Sequence, residues 1–248
     1  MSELVCGMRY YGKVVDNLSR VFTAQREAME QAARAIADAV ERGGMLHTFG
    51  TGHSHMIAEE AFYRAGGLVP VSPILDAGLL FGDGAVKSTF LERVEGYAGE
   101  VLSRYQLREG DVMLVASNSG RNAVPVEMAL LAKEKGLTTV AITSVSHSSS
   151  VESRHSSGKK LMELVDIVID NGGVPGDAVV DVPGLSEAVG ATSTVVGCAI
   201  LNSVIVMAVE ILVARGNHPP VFVSSNLDGG DAANKGWIGL YGSRIRNL

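Results

Sequence analysis

The chain has 248 residues, 46% hydrophobic and 19% charged, a balance typical of folded globular chains that excludes the disordered, collagenous and coiled-coil classes. At about 150 residues per domain this length suits one large α/β unit, so residues 1–248 read as a single domain. Lys and Arg number 21 against 27 Asp and Glu, a net charge of −6, and no basic run interleaved with aromatics is present, so no nucleic-acid partner is expected. Cys6 and Cys198 lack C-x-x-C spacing, which argues for a reducing compartment over a disulfide framework or a thiolate zinc site.

Residues 1–20 carry Glu3, Arg9, Lys13 and Asp16 with no sustained apolar block, so no secretory signal and a cytoplasmic location are expected. From Val14 to Arg42 apolar positions recur at three and four, predicting one long amphipathic helix that ends at Gly43-Gly44. Residues 1–43 are thus the leading helix. Met45–Phe49 reads as a strand, Gly50-Thr51-Gly52-His53-Ser54 as a loop, and the following segment as a helix through Arg64, ended at Gly66-Gly67. Leu68–Ile74 reads as a second strand and 85–107 as helical. The pattern repeats with an apolar strand at Asp111–Ala116, the loop Ser117-Asn118-Ser119-Gly120-Arg121-Asn122, and a helix to Lys135. Thr138–Thr143 and, after a serine-rich connection, Val165–Ile169 supply two more strands.

Strands alternating with helices argue for an α/β fold, a doubly wound parallel sheet with helices on both faces and 44–215 as its core. Ala188–Val209 is uncharged over a length that could cross a bilayer. Gly190, Thr192, Ser193, Thr194, Gly197, Asn202 and Ser203 interrupt it, so a buried helix and no membrane are expected.

In an open parallel sheet, ligands bind beyond the carboxyl ends of the strands, where the loops at 50–54 and 117–122 both open helices. Unpaired N–H groups and the positive end of a helix dipole suit such loops to an anion. Hydroxyls of Thr51, Ser54, Ser117 and Ser119 would each add about 1–3 kcal/mol toward a charged acceptor. Gly50-Thr51-Gly52 begins like a dinucleotide fingerprint, but His55 stands at the third glycine and Asp76 lies in a loop; neither loop ends in Gly-Lys-Ser/Thr. No nucleotide or other cofactor is expected.

The two loops together resemble those of the sugar isomerase (SIS) domain family, over roughly residues 10–215. The resemblance implies a flavodoxin-like three-layer sandwich in which Ser117, Ser119 and Asn122, with Asn118 and Gly120 in the same loop, grip the phosphate of a phosphosugar. Ser54 and the Gly50–Gly52 backbone with Thr51 would close round the sugar, and His53 would contact it. Asn122 stands where many members carry Ser or Thr; an amide still caps a helix and donates to oxygen, which leaves phosphate and sulfonate both open. Gly190-Ala191-Thr192-Ser193 is similar to the segment from which SIS etherases and phosphoheptose isomerases reach substrate, implicating Thr192 and Ser193. The family also implies a homodimer through the apolar helix at 188–214 and the N-terminal helix. It implies as well a C-terminal tail, 216–248, that covers the sugar with Asn226, Asp228, Asp231 and Lys235.

Aldose–ketose isomerisation needs a group that takes a proton beside a carbonyl and returns it one carbon away, usually a carboxylate. Glu59, Glu60 and Glu187 are the candidates, and since the base of SIS isomerases opens a late helix, Glu187 and then Glu60 are favoured. His55 and Glu59 are an i,i+4 pair beside His53, but they do not match the ligand set of zinc-bearing phosphoheptose isomerases, so no metal is expected. His47 lies within a strand and reads as a satisfied core histidine. The expectation is a homodimer that binds an anionic sugar and isomerises it. Its alternatives are a phosphosugar sensor without turnover, although no helix-turn-helix precedes the first loop, and an amino-sugar or ether-cleaving lyase.

Overall fold

Short apolar runs build the sheet: β1 (Leu46–Gly50), β2 (Val71–Ile74), β3 (Val112–Ala116), β4 (Thr138–Thr143) and β5 (Ile167–Asp170). The computed structural model describes residues 6–248; Glu3 and the rest of the first five residues lie outside it, as does the side chain of Cys6. All five strands run parallel in the order β2-β1-β3-β4-β5. The chain therefore moves to one side of β1 and then to the other, which makes the gap between the β1 and β3 loops the topological switch point. Pro73 cannot donate to a ladder, and it sits on the edge strand β2.

Successive side chains on a strand face opposite ways, and two cores result. Leu46, Val112, Leu114, Val140 and Ile142 point to one face, against α1 (Cys6–Ala24), α2 (Arg26–Glu41) and α8 (Ser193–Ala214). Phe49, Met113, Val115 and Ala141 point to the other, against α5 (Tyr97–Leu102) and α6 (Ala123–Glu134). Helices thus cover both faces of a doubly wound sheet, with α3 (His55–Glu60), α4 (Ala85–Leu91) and α7 (Val145–Ser149) at its carboxyl end. The apolar helix α8 is a core helix of this domain: Val196, Ile200, Leu201, Val204, Ile205, Ala208 and Leu212 are buried along one side of it.

Several boundaries depart from the sequence expectation. The leading helix is two helices, because Gln25 leaves helical geometry (φ −105°, ψ 11°) where its Oε1 accepts from the Asp170 N–H at 3.2 Å. The helix after the first loop stops at Glu60, four residues short of Arg64. The segment 85–107 breaks at Gly96, whose φ of +84° is left-handed. Leu68 lies outside the sheet, bridged to Val221. Val189–Ala191 is not the start of the long helix but a strand, β7, paired antiparallel with β6 (Ala178–Val180).

The C-terminal segment also takes its own structure, α9 (Gly230–Tyr241). Phe222 exchanges backbone hydrogen bonds with Gly66 and Gly67, and Arg244 reaches Asp111 at 2.9 Å. These anchors stand before β2 and β3, so within the chain the tail is fastened to the amino ends of the strands, the end opposite the two loops.

Candidate functional site

Gly50 and Ala116 pair across β1 and β3, so the loops that follow leave the sheet side by side. Gly50 is required by close approach: a Cβ there would strike the carbonyl of Ser54, which the tight loop folds back over it. Thr51 is buried, and its hydroxyl donates to Glu92 Oε2 at 2.7 Å. From the second loop, Asn122 Nδ2 donates to the other oxygen of that carboxylate at 2.8 Å. Glu92, which follows α4 and has no motif to mark it in the sequence, is therefore the clamp that joins the two loops.

The first loop offers less to an anion than the sequence suggested. Its helix, α3, has six residues and hence a small dipole, and the Ser54 N–H is already bonded to the Thr51 carbonyl at 3.0 Å. The second loop opens α6, a helix of 12 residues. There the N–H groups of Asn118, Ser119, Arg121 and Asn122 meet no acceptor among the described residues. Ser117 is buried with its Oγ accepting from the Gly120 N–H at 3.2 Å, which shapes the turn. Asn118 is held from behind by the amide of Asn171, whose Nδ2 donates to its Oδ1 at 3.0 Å. Asn122 has both ends of its amide engaged, since Oδ1 accepts from Arg154 Nη1 at 2.9 Å.

Burial, and then the neighbouring charges of Arg121 and Arg93, hold the Arg154 guanidinium below its ordinary pKa, with Glu92 opposing them. Of these arginines only Arg121 carried a signal in the sequence, as the residue next to Ser-Gly in the loop itself.

Other expected residues are spread around this centre. His53 is exposed and packs edge-on against Phe81 at 4.7 Å between ring centroids. His55 bonds the Gly52 carbonyl, and its Nε2 stands 3.7 Å from Glu59. Glu60 faces α8: its Oε1 accepts from Asn202 Nδ2 at 2.8 Å and it pairs with Arg64. The half-buried Cys198 thiol lies close by and is pushed up by burial and by the Glu60 charge, which Arg64 opposes. Glu187 does not open α8; it is exposed in the turn before β7, with Oε2 accepting from Ser186.

The start of α8 belongs instead to Asp177, whose Oδ1 accepts from the N–H groups of Thr192 at 3.0 Å and Ser193 at 2.9 Å. That carboxylate occupies the helix end where Thr192 and Ser193 were expected to face a ligand. Asn226 and Asp228 lie on the exposed tail, Asn226 beside Tyr63 and Arg64, and within the chain this tail is fastened at the end of the sheet opposite the loops. Asp231 and Lys235 belong to α9 on the same tail.

One set of side chains could in principle hold a cation, for ligand atoms of Glu95, Glu127 and His155 lie within 4.8 Å of one another. Its members are already engaged: Glu127 accepts from the Gly96 N–H at 2.6 Å, Glu95 takes both the N–H and the hydroxyl of Ser156, and His155 Nδ1 contacts Ser157.

Comparison with known proteins adds to this geometry. A family model described as "SIS domain" matches residues 9–144. The UPF0309 protein of Geobacillus thermodenitrificans (strain NG80-2) is 46% identical over 237 residues, 96% of this chain and 95% of that protein. The fold is similar to phosphoheptose isomerase from Neisseria gonorrhoeae, with a TM-score of 0.54 and 15% identity over 82% of this chain and 96% of that one. It is also similar to the Vibrio vulnificus NanR protein complexed with ManNAc-6P, with a TM-score of 0.50 and 18% identity over 87% of this chain and 64% of that one.

Proposed function

The chain belongs to the SIS domain family, and from that premise we propose that it binds a phosphorylated or otherwise anionic sugar between its β1 and β3 loops and interconverts the aldose and ketose forms. The observation that carries the binding half is the second loop, where a run of N–H groups without acceptors stands at the start of α6, joined to the first loop through Glu92. The fold neighbour complexed with ManNAc-6P supports the same ligand class.

In the proposed reaction a carboxylate takes the proton from C2 of the open-chain aldose, the electron pair forms an enediol, and the proton returns at C1 while the hydroxyl proton moves from O2 to O1. Ser117 and Ser119 would hold the anionic end, and Ser54, Gly50–Gly52 and His53 the sugar. Glu60, on the helix that follows the first loop, is the first candidate shuttle, its carboxylate held by Asn202 and Arg64. Glu187 is the second candidate, from the hairpin beside the start of α8.

We propose a homodimer as well. Val195, Val206 and Val213 on α8, and Tyr11 and Val15 on α1, present apolar surface that a second copy would cover. Light scattering at micromolar concentration tests this, and a monomer would sink it.

A non-catalytic sensor is the second reading, favoured by the internal pairing of Glu60 and the exposed position of Glu187. Proton NMR in D2O with a panel of sugar phosphates separates the two. Exchange of the C2 proton that is lost in Glu60→Gln or Glu187→Gln supports the isomerase. Binding without exchange supports the sensor, water-dependent cleavage supports the lyase, and no binding to any acidic sugar overturns the ligand class.

A further inference from the structure

The serine-rich connection between α7 and β5 takes no part in the reaction proposed above, yet it aligns a hydroxyl, an imidazole and a carboxylate. Ser157 Oγ stands 2.8 Å from His155 Nδ1. The same nitrogen accepts from the Ser157 N–H at 3.2 Å, so it is the unprotonated nitrogen of the ring and the hydroxyl meets it as a donor. The ring proton is then on Nε2, which faces Glu127 Oε1 at 3.7 Å. Glu127, on α6, is fixed in turn by the Gly96 N–H ahead of α5 at 2.6 Å. A second carboxylate, that of Glu95, has an oxygen within 4.8 Å of this imidazole and of Glu127.

A serine hydroxyl is a weak nucleophile until a base takes its proton during attack, and the base needs a third group to orient it and to balance the charge it acquires. Different residues meet these requirements here. His155 has its lone pair on the hydroxyl, and the positive charge it gains on taking the proton lies beside Glu127 and Glu95. The side chains of His155 and Glu127 are only 11% and 13% exposed, which strengthens their attraction. Ser157 is itself exposed, so a substrate can reach it, and the Lys159 N–H donates to its Oγ at 3.2 Å, which favours the alkoxide. A local turn accounts for the Ser157–His155 bond, but not for two carboxylates from separate segments converging on the same ring.

We infer that Ser157, His155 and Glu127 form a catalytic triad that hydrolyses activated carboxylic esters, an activity that does not depend on the sugar reading. Ser157 Oγ attacks the carbonyl carbon while His155 Nδ1 takes its proton; the bond from that carbon to the leaving oxygen breaks, and the alcohol departs with the proton. Water then attacks the acyl-serine and gives a proton to His155, which returns it to Ser157 Oγ as the carboxylic acid leaves. For the carbonyl oxygen the donor nearest in sequence is the exposed Lys159 ammonium, on a flexible stem and not preorganised. Esters with good leaving groups are therefore the substrate class, and amides are not.

The test uses the full chain with a fluorophosphonate probe, which transfers its phosphonyl group to an activated serine with loss of fluoride, and with p-nitrophenyl acetate. Peptide mapping by mass spectrometry is expected to place the phosphonyl group on Ser157. Ser157→Ala is expected to abolish that label and His155→Gln to slow it about a hundredfold, as loss of a general base does. Glu127→Gln, which keeps an acceptor for the Gly96 N–H but not the charge, is expected to slow it roughly tenfold. Ser150→Ala, at an exposed serine of the same connection, is expected to label as the wild type does, and circular dichroism checks that each variant folds. Release of p-nitrophenolate is expected to continue beyond one equivalent and to fall about tenfold or more in Ser157→Ala.

No label on Ser157 overturns the inference. So does a labelling rate unchanged in His155→Gln, or equal p-nitrophenolate release by the wild type and Ser157→Ala; each of these leaves the sugar reading as it stands.

Discussion

Thr51 and Asn122 hydrogen-bond opposite oxygens of one carboxylate, that of Glu92, at 2.7 and 2.8 Å. The two loops of the switch point are therefore held at a set separation by a third segment, and Arg154 extends the chain of contacts outward through the Asn122 carbonyl oxygen. Removing the clamp leaves a buried hydroxyl and a buried amide without their acceptor. Glu92→Ala is expected to cost about 1–2 kcal/mol in urea denaturation and to weaken sugar phosphate binding, because the loops no longer share a support. Glu92→Gln, which keeps one acceptor oxygen, is expected to cost less. Unchanged affinity in Glu92→Ala would show that the loops hold their spacing without it.

At the other end of the sheet Asp111 is fully buried and accepts from Met45 N at 2.8 Å, Arg108 N at 3.0 Å, His47 Nε2 at 3.0 Å and Arg244 Nη2 at 2.9 Å. Burial by itself raises a carboxyl pKa, but the His47 hydrogen bond, the backbone donors and the His47 charge outweigh it and hold Asp111 below its ordinary value. A depressed folded-state pKa stabilises the fold above the unfolded value of about 3.9, and that contribution is lost as pH falls through the lower folded value. Thermal melts are expected to fall off in acid from about pH 4 downward, with a flatter acid limb in Asp111→Asn. At neutral pH the same variant is expected to cost about 3–5 kcal/mol, since the Arg244 charge loses its buried counterpart. A further sign would be faster proteolysis of the tail that Arg244 ties down.

Asp177 combines a left-handed backbone (φ +67°) with a carboxylate that caps α8 at Thr192 and Ser193. Asn tolerates that conformation and still accepts from the helix end, whereas Ala does neither. Asp177→Ala is expected to destabilise by about 1–2 kcal/mol and Asp177→Asn by only a few tenths. Equal losses in chemical denaturation would remove the cap from the account of this helix start.

Gly50→Ala places a methyl group into the backbone of Ser54. Neither atom set can yield without opening the first loop. Loss of sugar phosphate binding is expected together with a destabilisation of about 1–3 kcal/mol from overpacking, read as a fall in urea midpoint at constant slope. Wild-type affinity in this variant would place the ligand away from the first loop.

Much of the fold was legible in the residues alone. The strands at 46–50, 112–116 and 138–143 are apolar runs between glycine and serine punctuation, and burial on both faces is what such runs require. The kink at Gln25 was not legible, since it depends on a side chain meeting β5, and neither was the β6–β7 hairpin, whose exposed strand Val189–Ala191 has the same uncharged composition as the helix it precedes. For that reason the sequence alone suggests Glu187 at a helix start, whereas the chain has it in the turn before β7.

Local chemistry settled which segments become strands and which loops open onto helices; periodicity and turn residues are short-range properties. Which side chains stand between those loops was decided only by the packed chain. Glu92 and Arg154 meet at Asn122 because three separate connections come together beyond the carboxyl ends of the strands. No spacing along the chain encodes that meeting, since it follows from strand order and from the cost of leaving charge and hydrogen-bonding groups unmatched once they are brought together.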